Sequence, residues 1–510
     1  MSRRRKILII GVVVLGAAIL IPVIHHYQLR AAVNAYIAEL KAKGEPMELA
    51  QVIPPPVSPE QNSADTFRKA ATLFDADQSM FQTNSYSAMR MVAPGKAMVC
   101  SQQPDASGYD ATNSWEEIKS ALAKENGAME LLLKITDRPR LDFDIPYAQR
   151  FTMLLKHLAP EKRAAQRLSA ATLCDLHFGD TASAVKNVRA MLALVKGTHE
   201  ERIAISQLVR IAIAQIALTA NWEVLQSPNL TDEQLAALQN DWSELEFVQA
   251  TENSLLVERE GGETTIQKCR ESSVEYKNLF GRSSWNSTDA SDDTWFGQTK
   301  LKTKEFMWRY WWSYPDELRA LKSYEVLLGV TRFAETNYSF QTVLHEQESG
   351  LEKLGINALN DGETGWMNPA KMDMHSAFSQ SVVSLRGILS KVMRIEAAKQ
   401  MTITAIALKR YQLKHGNYPA DLSALVPEFV PAVPLDPVDG QPLRYQLKAN
   451  GTFLLYSVGE NGKDDNGNSS WGKGIESSNY RWQDPHALDW VWPQPATPEE
   501  VQYFYEHPPK

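Results

Sequence analysis

The stretch Leu454–Gly474, LLYSVGENGKDDNGNSSWGKG, is where this chain gathers carboxylates, amides and glycines into one loop. Oxygen-rich loops of this kind suit hard cations, which take about 6–8 oxygen ligands. An EF-hand frame begun at Asp464 puts Asn466 and Asn468 at positions three and five. It then fails, with Ser469 where glycine is needed at six and Ile475 where a bidentate glutamate is needed at twelve. A bare acidic turn is the simpler reading of the composition. Two other polar runs are His345–Glu348 (HEQE) and Asp373–His375 (DMH). Neither has the His-x-x-x-His spacing that sets two ligands on one helical face, so both read as surface polar residues. No Gly-x-Ser-x-Gly, phosphate-cradling loop or dinucleotide fingerprint occurs. Cys100, Cys174 and Cys269 are too widely spaced for a metal pattern and read as small buried hydrophobes, with one disulfide still open. Trp308, Trp311 and Trp312 could bind a sugar or a partner, but their helical spacing predicts one packed face.

The elements around these residues begin with an N-terminal signal. Residues 1–6 carry Arg3, Arg4, Arg5 and Lys6 as a basic tail, and Ile7–Ile24 follows without a charge. About 17–25 apolar residues cross a bilayer. The basic end stays in the cytoplasm and the remainder is exported. A cleaved signal peptide would have a shorter apolar core, about 7–15 residues, and a small-residue cleavage site. Here Pro22 and the bulky IHHY follow, and LRAAVNAYIAELKAK continues as helix. The expectation is a single-pass signal-anchor over 7–24, then a juxtamembrane helix and a proline-rich spacer over 25–64. Three consecutive prolines at 54–56 predict a stiff segment that lifts the body off the membrane. With 22% charged and 44% apolar residues in a chain of 510, the exported part is globular and has more than one domain. A net charge of −8, with no basic run past the N-terminus, argues against a nucleic-acid partner.

Residues 65–383 read as mainly α, an irregular helical array or bundle. PEKRAAQRLSAATLCDLHFGDTASAVKNVRAMLALVKG is helix, Gly-Asp turn, helix. Thr198/Glu201 and Thr231/Gln234 are expected capping boxes for the two helices after it. No clean repeat period is present, but such arrays bind proteins on a concave face. From Leu385 a long helix runs to Gly416, interrupted by Arg394, Glu396 and Lys399, so it does not span a membrane. A hairpin follows around Asn450-Gly451. Residues from about Ser384 are expected to fold on their own, the helix covering the hairpin sheet.

The run ALKRYQLKHGNYPADLSAL…VPLDPVDGQPLRYQL…GTFLLYSVGENGKDD resembles the soluble domain of the major pseudopilins of type II secretion systems. The resemblance rests on Tyr411, Gly416-Asn417-Tyr418-Pro419, Asp436-Pro437, Gly440, Pro442, Tyr445 and Tyr456-Ser457-Val458-Gly459, within about 407–465. It implies a small C-terminal α+β pseudopilin-like domain over 384–495, ahead of a tail at 496–510. It also implies a calcium site after the last strand. Carried onto this chain, the ligands would be the Val458 carbonyl, Asn461, Asp464, Asp465 and Asp489. Asn461 stands where the family has Asp, and Ala487 and Leu488 replace the acidic neighbour of Asp489, so calcium binding should be weak. The membrane segment lies far upstream of the long helix, which excludes a filament subunit and leaves a borrowed domain. The whole layout resembles uncharacterised membrane-anchored proteins of the bacterial envelope.

These readings combine into a bacterial inner-membrane protein with a cytoplasmic N-terminus and a periplasmic body. It would act as a scaffold or protein-binding module, with a partner in the cell envelope and a link to secretion. The alternative is a cell-envelope hydrolase on wall or peptide substrates. The two readings part on one observation. A pocket with convergent His and carboxylate groups favours the enzyme, and an open concave helical face without them favours the scaffold.

Overall fold

The computed structural model describes residues 3–74, 81, 86, 88–108, 112–280, 295–337, 339–356, 375, 377–470 and 482–507. The side chains of 3–8, 11–19 and scattered helical positions, and the whole of Asp373 and Ile475, lie outside that description. The chain is mainly helical, with 64% helix against 7% strand. Helix α1 (Arg3–Ala42) is continuous through Pro22. At 1.5 Å per residue it is about 60 Å long. Its second half docks on α8 (Ser313–Thr336). Leu40 is buried with Met47 and Leu321, and the His26 Nδ1–H donates to the Tyr310 carbonyl at 3.1 Å.

The proline-rich run after α1 lies along the body as a strap. Arg332 holds the Glu45 carboxylate through two bonds of 2.6 and 3.2 Å, and Arg259 donates to the Pro46 carbonyl. Val52 is buried, and its carbonyl accepts from Arg202 at 2.9 Å. Farther on, the Ser63 N–H donates to the Arg140 carbonyl at 2.8 Å. An extended strand of prolines has free carbonyls and few N–H groups, so fixed arginine donors on a neighbouring surface can dock it.

The core is built by α3 (Leu158–His177), α4 (Thr181–Gly197), α5 (Ala204–Leu225) and α6 (Asp232–Ser243), which pack on one another after α2 (Ala64–Thr72). The α3–α4 turn uses Gly179 at φ +83° and Asp180, whose carboxylate accepts from the Ser183 N–H. The Thr231/Gln234 capping box forms as expected at α6. The Thr198/Glu201 box does not form. Helix α5 starts at Ala204, the Thr198 hydroxyl bonds back to the Leu194 carbonyl of α4, and the Glu201 carboxylate turns to His157. Among the described residues, α5 is the helix long and apolar enough to cross a membrane, and two thirds of that apolar window is buried inside the body.

Helices α7 (Val248–Glu271) and α8 share a second core with α9 (Phe340–Lys353), around Tyr276, Tyr324, Leu327 and Trp308. Trp308–Trp312 forms a π-helical turn. Trp308 and Trp312 face this core, while Trp311 lies against Phe306. All three cysteines are free thiols, and burial pushes Cys174 up to about 11.

The long helix α10 (Arg386–His415) stops at left-handed Gly416, as its sequence predicts. It packs on α5 and α6 and, farther along, on a sheet of order β3 (Arg444–Leu447), β4 (Phe453–Ser457), β5 (Trp490–Val491). The hairpin pairs Leu447 with Phe453, and its turn spans Lys448–Thr452 with Gly451 at φ +78°. A second sheet joins β1 (Arg90–Ala93) and β2 (Lys96–Met98) to β6 (Gln494–Pro495), the last pair parallel. One continuous core therefore runs from Ala64 to Trp492. The Trp222 indole N–H of α5 reaches the Pro493 carbonyl at 2.9 Å.

That packing gives α10 cover from two sides. Ile395, Met401 and Ile406 are fully buried within the shared core. Residues 384–495 expressed alone would expose the face that α5 and α6 cover. The isolated segment is expected to melt without a sharp transition, and a cooperative thermal melt would show that the segment completes its own core. In the full chain, Ile406→Ala should cost about 2–5 kcal/mol by denaturant titration.

Candidate functional site

The loop residues Val458, Asn461, Asp464, Asp465 and Asp489 gather at one turn, but their polar atoms serve the chain itself. The Val458 N–H donates to Asp436 at 3.0 Å. Asp464 accepts from the Tyr456 hydroxyl and the Asn466 N–H, both at 2.9 Å. The Asn466 N–H, with Tyr456 and Arg444, holds the Asp464 carboxyl below its ordinary range. Asn461 Nδ2 donates to Asp465 at 2.8 Å. Asp489 is fully buried and accepts three backbone N–H groups, from Asp465, Gly467 and Asn468, at 3.3, 2.8 and 3.1 Å. Gly467 takes φ +75°, and a Cβ there would meet Leu454 Cδ2 at 2.8 Å. The bonds that close the loop engage carboxylate oxygens of Asp464, Asp465 and Asp489, the acidic ligands of the calcium reading.

A different constellation converges elsewhere, at His157, Glu161 and Glu201. His157 caps α3 and Glu161 follows four residues later, so the two share one face of the first turn. Pro160 is tolerated there because the N–H it lacks would have had no helical partner. Glu201 comes from the short connection between α4 and α5, fixed by the Glu201 N–H to Thr198 carbonyl turn and by Gln207 Nε2 on the Glu201 carbonyl. His157 Nε2 lies 3.0 and 2.9 Å from the two Glu201 oxygens. Phe143 stacks on the imidazole at 4.3 Å. One donor atom from each of His157, Glu161 and Glu201 lies within 4.8 Å of the others, and among the described residues this is the one such group of three or more. Glu161 is 1% exposed, and its Oε1 has no hydrogen-bond partner. Burial, and then the charge of Glu201, push the Glu161 carboxyl well up.

Glu201 also lines a cleft of about 500 Å³. The strap residues Pro54, Pro55 and Val57 form one wall, and Arg140, Tyr147 and His199 line it as well. Among the described lining residues, six carboxylates (Asp137, Asp142, Glu200, Glu201, Glu244, Glu246) face four basic side chains. Three of those four are already engaged, Arg138 by donating to the Glu60 carbonyl at 3.2 Å. Lys196 pairs with Glu244, and Arg210 donates to the Val195 and Glu246 carbonyls. Carboxylates of the lining are paired too, Glu244 with Lys196, Glu200 with Arg202 and Glu201 with His157, so the cleft keeps a modest acidic excess. Burial and the neighbouring Arg210 push the His199 imidazole down.

Among the described residues of the polar runs singled out in the sequence, none belongs to the group of His157, Glu161 and Glu201. His345 and Glu348 lie on α9, and Glu348 is paired with Arg386. The spacing His157-x-x-x-Glu161 was present to be read, but a single His/Glu pair at one helical turn is common. Its third member, Glu201, carries a local signal that points to capping instead. No protein-family model, curated protein or solved structure matches this chain.

The loop yields a pH test. Burial, opposed by the three N–H bonds, lifts Asp489 from 3.8 to about 6. A carboxyl raised in the folded state binds more protons there than in the unfolded chain. Its stabilising contribution is thus complete below 3.8 and is lost as pH rises through about 6. Asp489→Asn should lower stability by about 1–3 kcal/mol at neutral pH, since an amide cannot accept all three N–H groups. It should also flatten the decline of wild-type stability between about pH 4 and 6. Chemical denaturation of both proteins across that range checks both effects, and parallel profiles would exclude Asp489 as the titrating group.

Proposed function

We propose that this chain is a single-pass protein of the bacterial inner membrane, with its N-terminus cytoplasmic and its body periplasmic. The body is a hydrolase acting on a polar, cation-bearing peptide or wall-derived substrate. The observation that carries the enzymatic reading is the convergence of His157, Glu161 and Glu201 beside the cleft. A carboxylate that orients an imidazole is a standard general-base arrangement. Burial, and then the charge of Glu201, push the neighbouring Glu161 carboxyl well up, which makes it the candidate acid beside the histidine. Glu201 orients the His157 ring, and Phe143 limits its tilt. Such a group beside a cleft, with Glu201 in the cleft's lining, supports the enzyme over the scaffold.

The anchor reading draws support from α1. Ile10, Leu20, Ile21 and Ile24 are 63%, 59%, 66% and 54% exposed on the body's own surface, an arrangement suited to lipid cover. The order of long helix and hairpin sheet in the tail supports its likeness to a pseudopilin domain.

Two measurements test this reading. A reporter active only in the periplasm, fused after Lys510, is expected to be active, and activity of a cytoplasm-only reporter there would reverse the topology. Full-length protein in detergent should hydrolyse members of a panel of basic peptides and wall fragments. His157→Ala and Glu201→Gln should each lower the rate about 10²–10⁴-fold with the thermal melt retained. Inactivity of the wild type across the panel, or undiminished rates in both variants, would leave the body a scaffold.

A further inference from the structure

We propose that His157, Glu161 and Glu201 together bind one divalent transition-metal ion of the zinc class, with its open position towards the cleft. The three donors come from two elements that are otherwise fixed: the first turn of α3, and the tight connection between α4 and α5. Their ligand atoms lie within 4.8 Å of one another. Donors about 2.0–2.2 Å from a tetrahedral ion stand about 3.4 Å apart, so closing on an ion asks for shifts of about 1 Å.

The second observation is the state of the buried oxygens. Glu161 Oε1 is buried with no hydrogen-bond partner, while Glu201 Oε1 faces His157 Nε2 at 2.9 Å. Buried carboxylate oxygens are ordinarily saturated, as at Asp489 and Asp436; Glu260, Glu317 and Glu460 each keep one bare oxygen as well, but each lies beside an arginine. Two buried carboxyls side by side, with the Glu161 oxygen left bare, are costly without a positive group between them. A dication meets that need.

The donor set selects the metal class. Three protein ligands including an imidazole suit zinc or its neighbours, whereas calcium asks for about 6–8 oxygens. Three protein ligands also leave a fourth position. Glu201 is the member that reaches the cleft wall, so that position faces the cleft. A metal bound there would supply the activated water in place of the His157–Glu161 acid–base pair, so the proposal rests on the hydrolase reading above but replaces its proton acceptor and donor. Binding itself is tested separately from activity.

The test uses full-length protein in detergent, stripped with chelator. Titration with Co²⁺ should saturate at one equivalent per chain and give visible absorption bands of a low-coordinate site. Zn²⁺ should displace it and raise the melting temperature. Glu161→Gln and His157→Asn should each weaken Zn²⁺ binding at least about tenfold, while their metal-free melts stay close to wild type. Glu161→Gln keeps the side-chain shape, so it guards against loss through misfolding. Absence of saturable one-equivalent binding in the wild type, or undiminished binding in both variants, would overturn the site. If the wild type hydrolyses substrate through His157 yet binds no metal, the acid–base reading stands and the metal falls. If metal binds stoichiometrically and no substrate turns over, the site stands and the hydrolase falls.

Discussion

Buried carboxylates that accept main-chain N–H groups hold this fold's irregular segments in place. With so little strand, most connections have no ladder to satisfy their amides, and a buried amide without a partner costs about 1–3 kcal/mol. Glu223 on α5 reaches across to accept from the Met89 and Cys100 N–H groups at 2.9 and 2.8 Å and from the Ser101 hydroxyl at 2.9 Å. Asp316 on α8 takes the Phe378 and Ser379 N–H groups, both at 2.9 Å. Asp436 takes Val438, Val458 and the Ser457 hydroxyl, and Asp489 closes the glycine-rich loop. In each case burial pushes the carboxyl up while the N–H bonds pull it down. The acidic balance of the chain is thus partly structural, spent inside the protein.

Against this background Glu161 differs in kind. It is as deeply buried as the others and sits at the start of a helix, yet it has no comparable set of donors. Its neighbour Glu201 answers to a histidine instead of to main chain. Glu260, Glu317 and Glu460 also keep one buried oxygen bare, but each has an arginine beside it, whereas Glu161 has the Glu201 carboxylate as its charged neighbour.

Signals that a few neighbouring residues carry were legible in the sequence. The long helix ending at Gly416, the Thr231/Gln234 box and the Asn450-Gly451 hairpin depend on residues within a turn or two. Thr198 and Glu201 show how such a signal misleads. The motif is correct in letters, but the preceding helix takes the hydroxyl and a distant histidine takes the carboxylate. The cleft was not legible at all. Its wall is the proline strap, which reads as a tether until Arg202, Arg259 and Arg332 are seen gripping it. The acidic loop drew attention for its composition, whereas Asp489, from beyond the run, organises it.

The unbroken course of α1 bears on where the cleft can work. The helix meets the body at His26, and its last turns are pinned through Leu40 and Glu45. Pro54 and Pro55 begin the cleft wall little more than a dozen residues past the helix end, at most about 45 Å of extended chain. With the first turns of α1 in a bilayer, the cleft could not wander at the end of a flexible leash. It would patrol a thin layer at fixed height over the membrane surface. Molecules confined to that layer would meet it at a high effective concentration, while those at greater distance would have to diffuse in.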